Sequence, residues 1–142
     1  MSRAHEEGSR VRRRLGLSGR VDAESVAARL GLTVVRWSLS VPETMRLVDH
    51  VAVAERLDPP WRRWAVGRAI GHCVLHPGDD LYIHRQTGRV PAFEREADDF
   101  AFGLLVDTTE AVAEGFVHSW EIARHFGIPD EVVRLQNGSA GE

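Results

Sequence analysis

The chain has 142 residues, is 43% hydrophobic and 27% charged, and carries a formal net charge of −3. That length suits one domain able to bury about 70% of its unfolded surface without a metal or a disulfide. No apolar run approaches the roughly 20 residues of a membrane span, and the start, MSRAHEEGSRVRRR, lacks the apolar core of a secretory signal, so the expectation is a cytoplasmic protein with no membrane partner.

Residues 1–20 hold six arginines against two glutamates, a charge of +4 that leaves −7 on the remainder to give −3 in all. This asymmetry predicts a flexible basic arm over 1–20, able to touch nucleic acid non-specifically, whose removal leaves the fold intact. A single domain is expected over 21–136. Asp22 precedes AESVAARLG, a short helix with Val26, Ala27 and Leu30 on one face and Gly31 as its stop. LTVVRWSL has the alternating, β-branched pattern of a strand, and MRLVDHVAVAERL that of one or two more, with a turn near Val41-Pro42.

Pro59-Pro60 punctuates the chain before a long helix, WRRWAVGRAIGHCVLH, stopped by Pro77-Gly78. LYIHRQTGRV reads as a linker. In FEREADDFAFGLLVD, residues Phe93, Ala97, Phe100, Ala101, Leu104 and Leu105 fall at helical spacing. The end, SWEIARHF, a Gly127-Ile128-Pro129 turn and an Asp130-capped EVVRLQ, is a helix-turn-helix-like pair over 119–136, followed by a disordered tail at 137–142. Its second helix offers Arg134 and Gln136 but opens on Asp130 and Glu131, which disfavour entry into a DNA groove. Trp37, Trp61, Trp64 and Trp120 are expected to be core or rim aromatics.

The one cysteine, Cys73, excludes an internal disulfide and a Cys-only zinc site. All 18 basic residues are arginine, which excludes lysine nucleophiles, Schiff bases and a phosphate-loop lysine.

The two long helices carry the informative residues. Arg63 to His76 reads RWAVGRAIGHCVLH, and Glu94 to Asp107 reads EREADDFAFGLLVD. In order, spacing and apolar pattern these resemble the R-[FW]-x-[LI]-A-H-E-L-G-H-x-L-L-H and E-x-E-A-[DN]-x-F-A-x-x-L-L-M-P runs of the ImmA/IrrE family. VDAESVAARLGLTVV and SWEIARHFGIPDEVVRLQ extend the resemblance to about residues 20–136. It implies an α+β, zincin-like domain with a small antiparallel sheet, two central site helices and a helical C-terminal part. Active relatives are zinc-dependent proteases that cut helix-turn-helix repressors.

Aligned on Gly71-His72, the resemblance puts Arg68 at the first zinc-ligand position, Ala69 at the general base, His72 at the second ligand and Glu96 at the third, with Glu94 and Asp98 beside them. A guanidinium has no lone pair for zinc, and alanine cannot take a proton from water. The implied protein is a catalytically inactive, metal-free pseudopeptidase that binds a protein partner such as a transcriptional regulator. Two alternatives stay open. One is a peptidase whose zinc is held by a rearranged His72, His76 and Glu96 or Glu94, with Cys73 available as a thiol; the other is a DNA-binding regulator.

Local chemistry also allows simpler roles, with His72 a buried hydrogen-bonded ring, His76 a cap on the helix end, and Glu94 and Glu96 a solvated face. Glu96 shares its spacing with Phe93, Phe100 and Leu104, which predicts that it points inward. Without zinc that carboxylate would need another cation. Arg68 is therefore expected to pair with Glu96, with Glu94 as alternate acceptor, or else to swing out to solvent.

Overall fold

The computed structural model describes residues 2–40, 42–47, 49–76 and 91–141. Its centre is a pair of helices, α3 (Pro59–Leu75) and α4 (Pro91–Leu105). The Asp58 carboxylate caps α3 by accepting the Trp61 N–H at 3.2 Å, and Pro59 in the first turn needs no donor partner. Gly67 and Gly71, one turn apart, let α3 lie close on α4. A Cβ on Gly67 would sit 2.8 Å from Leu105 Cδ1, and one on Gly71 would sit 3.1 Å from the Phe100 side chain. Phe100, Leu104, Leu105 and Ile70 are fully buried there, among the largest side chains of the core.

The other side of α4 is covered by a helix where a flexible arm was expected. Residues Arg3–Arg14 form α1, capped by Ser2, whose hydroxyl accepts the His5 N–H at 3.1 Å. Its small and apolar residues Ala4, Gly8 and Val11 recur at helical spacing and face α4. Gly8 and Gly103 meet at the crossing, where a Cβ would come within 2.1 Å of the Phe100 carbonyl oxygen and 2.2 Å of the His5 carbonyl oxygen respectively. Arg12 is buried, donating to the Leu104 carbonyl at 2.9 Å and the Gly19 carbonyl at 3.0 Å, with Glu110 at 3.6 Å. The basic run is thus partly a structural element, with its charge satisfied inside the protein.

Helix α2 (Ala23–Arg29) starts at Asp22 as expected, its carboxylate accepting the Ser25 N–H at 3.2 Å, and the chain leaves past Gly31 at φ 86°. Strands β1 (Thr33–Trp37), β2 (Thr44–Leu47) and β3 (His50–Ala54) form one sheet in the order β1-β3-β2. β2 and β3 are an antiparallel hairpin, but β1 pairs with β3 in parallel, Thr33 opposite His50. The sheet is therefore mixed, not antiparallel. β3, with Val51 and Val53 buried, takes the central place and both neighbours pair with it.

After α4, Asp107 caps the short helix α5 (Thr108–Ala113), and α6 (Ser119–Phe126) turns through Gly127, at φ 71°, into α7 (Asp130–Gly141). Asp130 is the first residue of α7 and accepts the Ser119 hydroxyl at 2.7 Å, which ties the helix pair together. The backbone of α7 continues to Gly141, where a disordered tail from 137 was expected. Pro77-Gly78, LYIHRQTGRV and Val41 lie outside the described residues. The described part is α+β, with seven helices around one mixed sheet, and no helix in it is long and apolar enough to cross a membrane. Trp64 is core and Trp61 packs against it, while Trp37 and Trp120 stand exposed at the rim.

Candidate functional site

The facing surfaces of α3 and α4 bring the sequence-predicted residues together, with one exchange of partners. Arg68, in the middle of α3, turns inward with its side chain only 16% exposed. Its Nη2 donates to Glu94, its Nε lies 2.5 Å from Asp98 Oδ1, and its Nη1 reaches Glu43 at 3.4 Å. One guanidinium thus faces three carboxylates, two of them one turn apart on α4.

Glu96, the expected partner of Arg68, is instead about half exposed. Glu94, Asp98, Ala101 and Leu105 share the stripe of α4 that meets α3, whereas Glu96 falls on the other side of Ala97. At about 100° per residue, Glu94 lies roughly 60° from Ala97 and Glu96 roughly 100° in the opposite sense. The inward reading of Glu96 took Phe93 and Phe100 as the centre of the buried stripe. Glu43, just ahead of β2, carried no sequence signal, because a lone acidic residue beside a strand is usually solvated.

The electrostatics of the cluster are mixed. Burial raises the pKa of the Asp98 carboxyl above its ordinary value, while the charge and hydrogen bond of Arg68 pull it back and the nearby Glu94 adds repulsion. A permanent cation is what allows so many acids to gather there.

His72 and His76 sit one turn apart at the end of α3, with Nδ1 atoms 3.3 Å from each other. The His76 ring stacks on Phe93 at a centroid distance of 4.0 Å, and its Nε2 lies 3.5 Å from Glu96. His76 is the residue that ends α3, its backbone N–H donating to the His72 carbonyl. Ala69 is buried against the core.

These residues do not fit a zinc ion. The position that the sequence resemblance makes the first ligand holds a guanidinium, and the adjoining carboxylate, Glu94, already serves it. For the rearranged site, the imidazoles face one another through Nδ1, but Glu94 lies 3.6 Å from His72 Nε2 and Glu96 approaches His76 Nε2. Each carboxylate therefore approaches a different ring, and through the nitrogen that does not face the other imidazole. Among the described residues no group of three or more His, Cys, Asp or Glu could hold a metal ion.

The C-terminal pair offers little free chemistry. Arg134 lies 3.3 Å from Asp130 on its own helix, and the Gln136 amide donates to Asp99 at 3.3 Å. The two side chains that could have read bases are engaged elsewhere.

No protein-family model matches the chain, and no curated protein matches it. Among solved structures it is similar to a Mycobacterium tuberculosis transcriptional regulator, with a TM-score of 0.70 and 20% identity over 94% of this chain. The chain spans 46% of that protein's length, so the likeness is one of fold, shared with about half of a bacterial transcriptional regulator.

Proposed function

We propose that this chain is a non-hydrolytic member of the ImmA/IrrE-like group that acts as a regulatory, protein-binding module, with a transcriptional regulator as its partner. The observation that carries the reading is Arg68, whose guanidinium faces Glu94, Asp98 and Glu43 at the position that the resemblance makes the first zinc ligand. An ion pair there holds the two helices as a zinc ion would hold them, but it supplies neither an activated water nor a Lewis acid. Ala69 removes the base as well. What remains is a rigid scaffold suited to binding a protein without cutting it. The similarity of fold to a bacterial transcriptional regulator supports placing it in transcriptional control.

Zinc titration followed by thermal unfolding tests this reading. Wild-type protein should gain no stability at micromolar zinc, because a ligand stabilises only through affinity for the folded state. The double variant Arg68→His, Ala69→Glu should gain several degrees, and lose that gain when His72→Ala is added. A zinc-dependent rise in the wild type, abolished by His72→Ala, would overturn the proposal.

A further inference from the structure

On the face of α3 turned away from Arg68, two adjoining clefts of about 460 Å³ each share Arg20, Pro59 and Arg63 as a common wall. Five arginines line them, Arg20, Arg36, Arg62, Arg63 and Arg124, alongside the carboxylates of Asp22, Glu24 and Asp130. Among the described residues Arg36 pairs with Glu24, whereas the hydrogen bonds of Arg20, Arg62 and Arg63 go to backbone carbonyls. Arg63 donates to the carbonyls of Val21 and Gly127, Arg20 to that of Arg124, and Arg62 to that of Leu57. The lining acids each have a partner of their own, and Asp22 also acts on Arg63 as a counter-charge. Glu24 faces Arg36 at 3.6 Å, Asp22 caps α2, and Asp130 holds Ser119 and Arg134.

Arg20 and Arg63 converge on one point. A Cβ added at Gly127 would lie 2.4 Å from Arg63 Nη1 and 2.7 Å from Arg20 Nε, so the two guanidiniums crowd the same glycine. Burial, and then the charge of Arg20, lower the pKa of Arg63, while the Asp22 carboxylate partly offsets them. Backbone bonds still leave N–H groups on both forks, and a guanidinium fork matches phosphate oxygens. At the far end the wall turns apolar, with Pro60, Ala123 and Ile128, and the Trp120 indole stands 54% exposed.

We propose that this double cleft binds a nucleoside phosphate, with its phosphates between Arg20, Arg62 and Arg63 and its base against Trp120. The volume suits a small ligand. Arg20 and Arg63 gather at one point, where a nucleic-acid backbone would call for a track of spaced charges. The site is independent of the Arg68 cluster and of the regulatory reading built on it.

Equilibrium dialysis of the full chain against ATP at low salt tests the proposal. ATP should bind, pyrophosphate should compete with it, and adenosine should not bind. Arg20→Gln, checked for an unchanged melting temperature, should weaken ATP at least tenfold. Trp120→Ala should weaken ATP about fivefold or more while leaving pyrophosphate unchanged. Should Arg20→Gln fail to fold, Arg124→Gln replaces it, since among the described residues the Arg124 side chain makes no hydrogen bond or ion pair, and it should weaken ATP at least threefold. No ATP binding at millimolar concentration would overturn the proposal. So would affinity indifferent to the arginine and tryptophan variants, or binding of a single-stranded oligonucleotide without any of ATP.

Discussion

Replacing Arg68 with alanine should be one of the most damaging single changes to this protein outside its apolar core. The side chains of Arg68 and Glu94 are 16% and 17% exposed, so their pair is close to the buried limit, where losing one partner costs about 3–5 kcal/mol. Asp98 and Glu43 are more open, at 40% and 29%, nearer the surface case of about 0–1 kcal/mol per pair. Without the cation, Glu94 and Asp98 would also repel each other across one helical turn. Because the residual exposure of the Arg68–Glu94 pair discounts the fully buried figure, these together place the cost at about 2–4 kcal/mol, or a fall of roughly 6–15 °C in Tm for a domain of this size. Urea unfolding at neutral pH, followed by tryptophan fluorescence with the buried Trp64 as reporter, measures it. The deficit should shrink in acid as the stranded carboxylates take up protons. In a double-mutant cycle, Arg68→Ala with Glu94→Ala should be less damaging than the sum of the single changes. A loss below about 0.5 kcal/mol, with the two changes additive, would refute the reasoning, because such values belong to solvated pairs.

Three further outcomes follow from the packing and the charges. Gly103→Ala, which on an exposed helix would stabilise by up to about 1 kcal/mol, should here destabilise by about 2–3 kcal/mol in chemical unfolding, because the new Cβ would overlap the His5 carbonyl. Deleting residues 1–20 should leave a chain without cooperative thermal unfolding, since α4 would lose the cover of α1 and the carbonyl of Leu104 its Arg12 donor. Glu110, whose pKa is lowered first by the Gly19 N–H and further by His125 and Arg12, contributes stability present above the ordinary glutamate value of 4.5 and lost as pH falls through its depressed folded value. Glu110→Gln should therefore lower the urea midpoint at pH 7 and flatten its decline in acid.

The elements that sequence reasoning located best were those marked by local chemistry. Asp22 and Gly31 bracket α2, Asp58 with Pro59-Pro60 opens α3, and the apolar spacing from Phe93 to Leu105 marks α4. What failed depended on partners far away in the chain. Ser2 as a cap and the Ala4, Gly8, Val11 spacing were present in the basic run, yet net charge alone cannot reveal that Arg12 has the Leu104 and Gly19 carbonyls waiting for it. Strand positions were legible in LTVVRWSL and HVAVA, but the parallel pairing of β1 with β3 is set by which strand is central, and local alternation does not encode that. At the site, the inward turn of Arg68 and the alternate acceptor Glu94 were foreseen. The preference for Glu94 and Asp98 over Glu96 depends on a helix rotation that Phe93 and Phe100 alone could not fix.

The most direct test of the proposal that Arg68 takes the place of a zinc ligand is the zinc content of the full chain, purified without a histidine tag from zinc-supplemented cells and measured by mass spectrometry. The Arg68 network predicts well under about one tenth of an equivalent per chain, since two imidazoles without a third ligand do not retain zinc through purification, and the Arg68→His, Ala69→Glu variant prepared in parallel should carry close to one. A full equivalent of zinc in the wild-type protein, lost on Arg68-independent change of His72 to alanine, would contradict it.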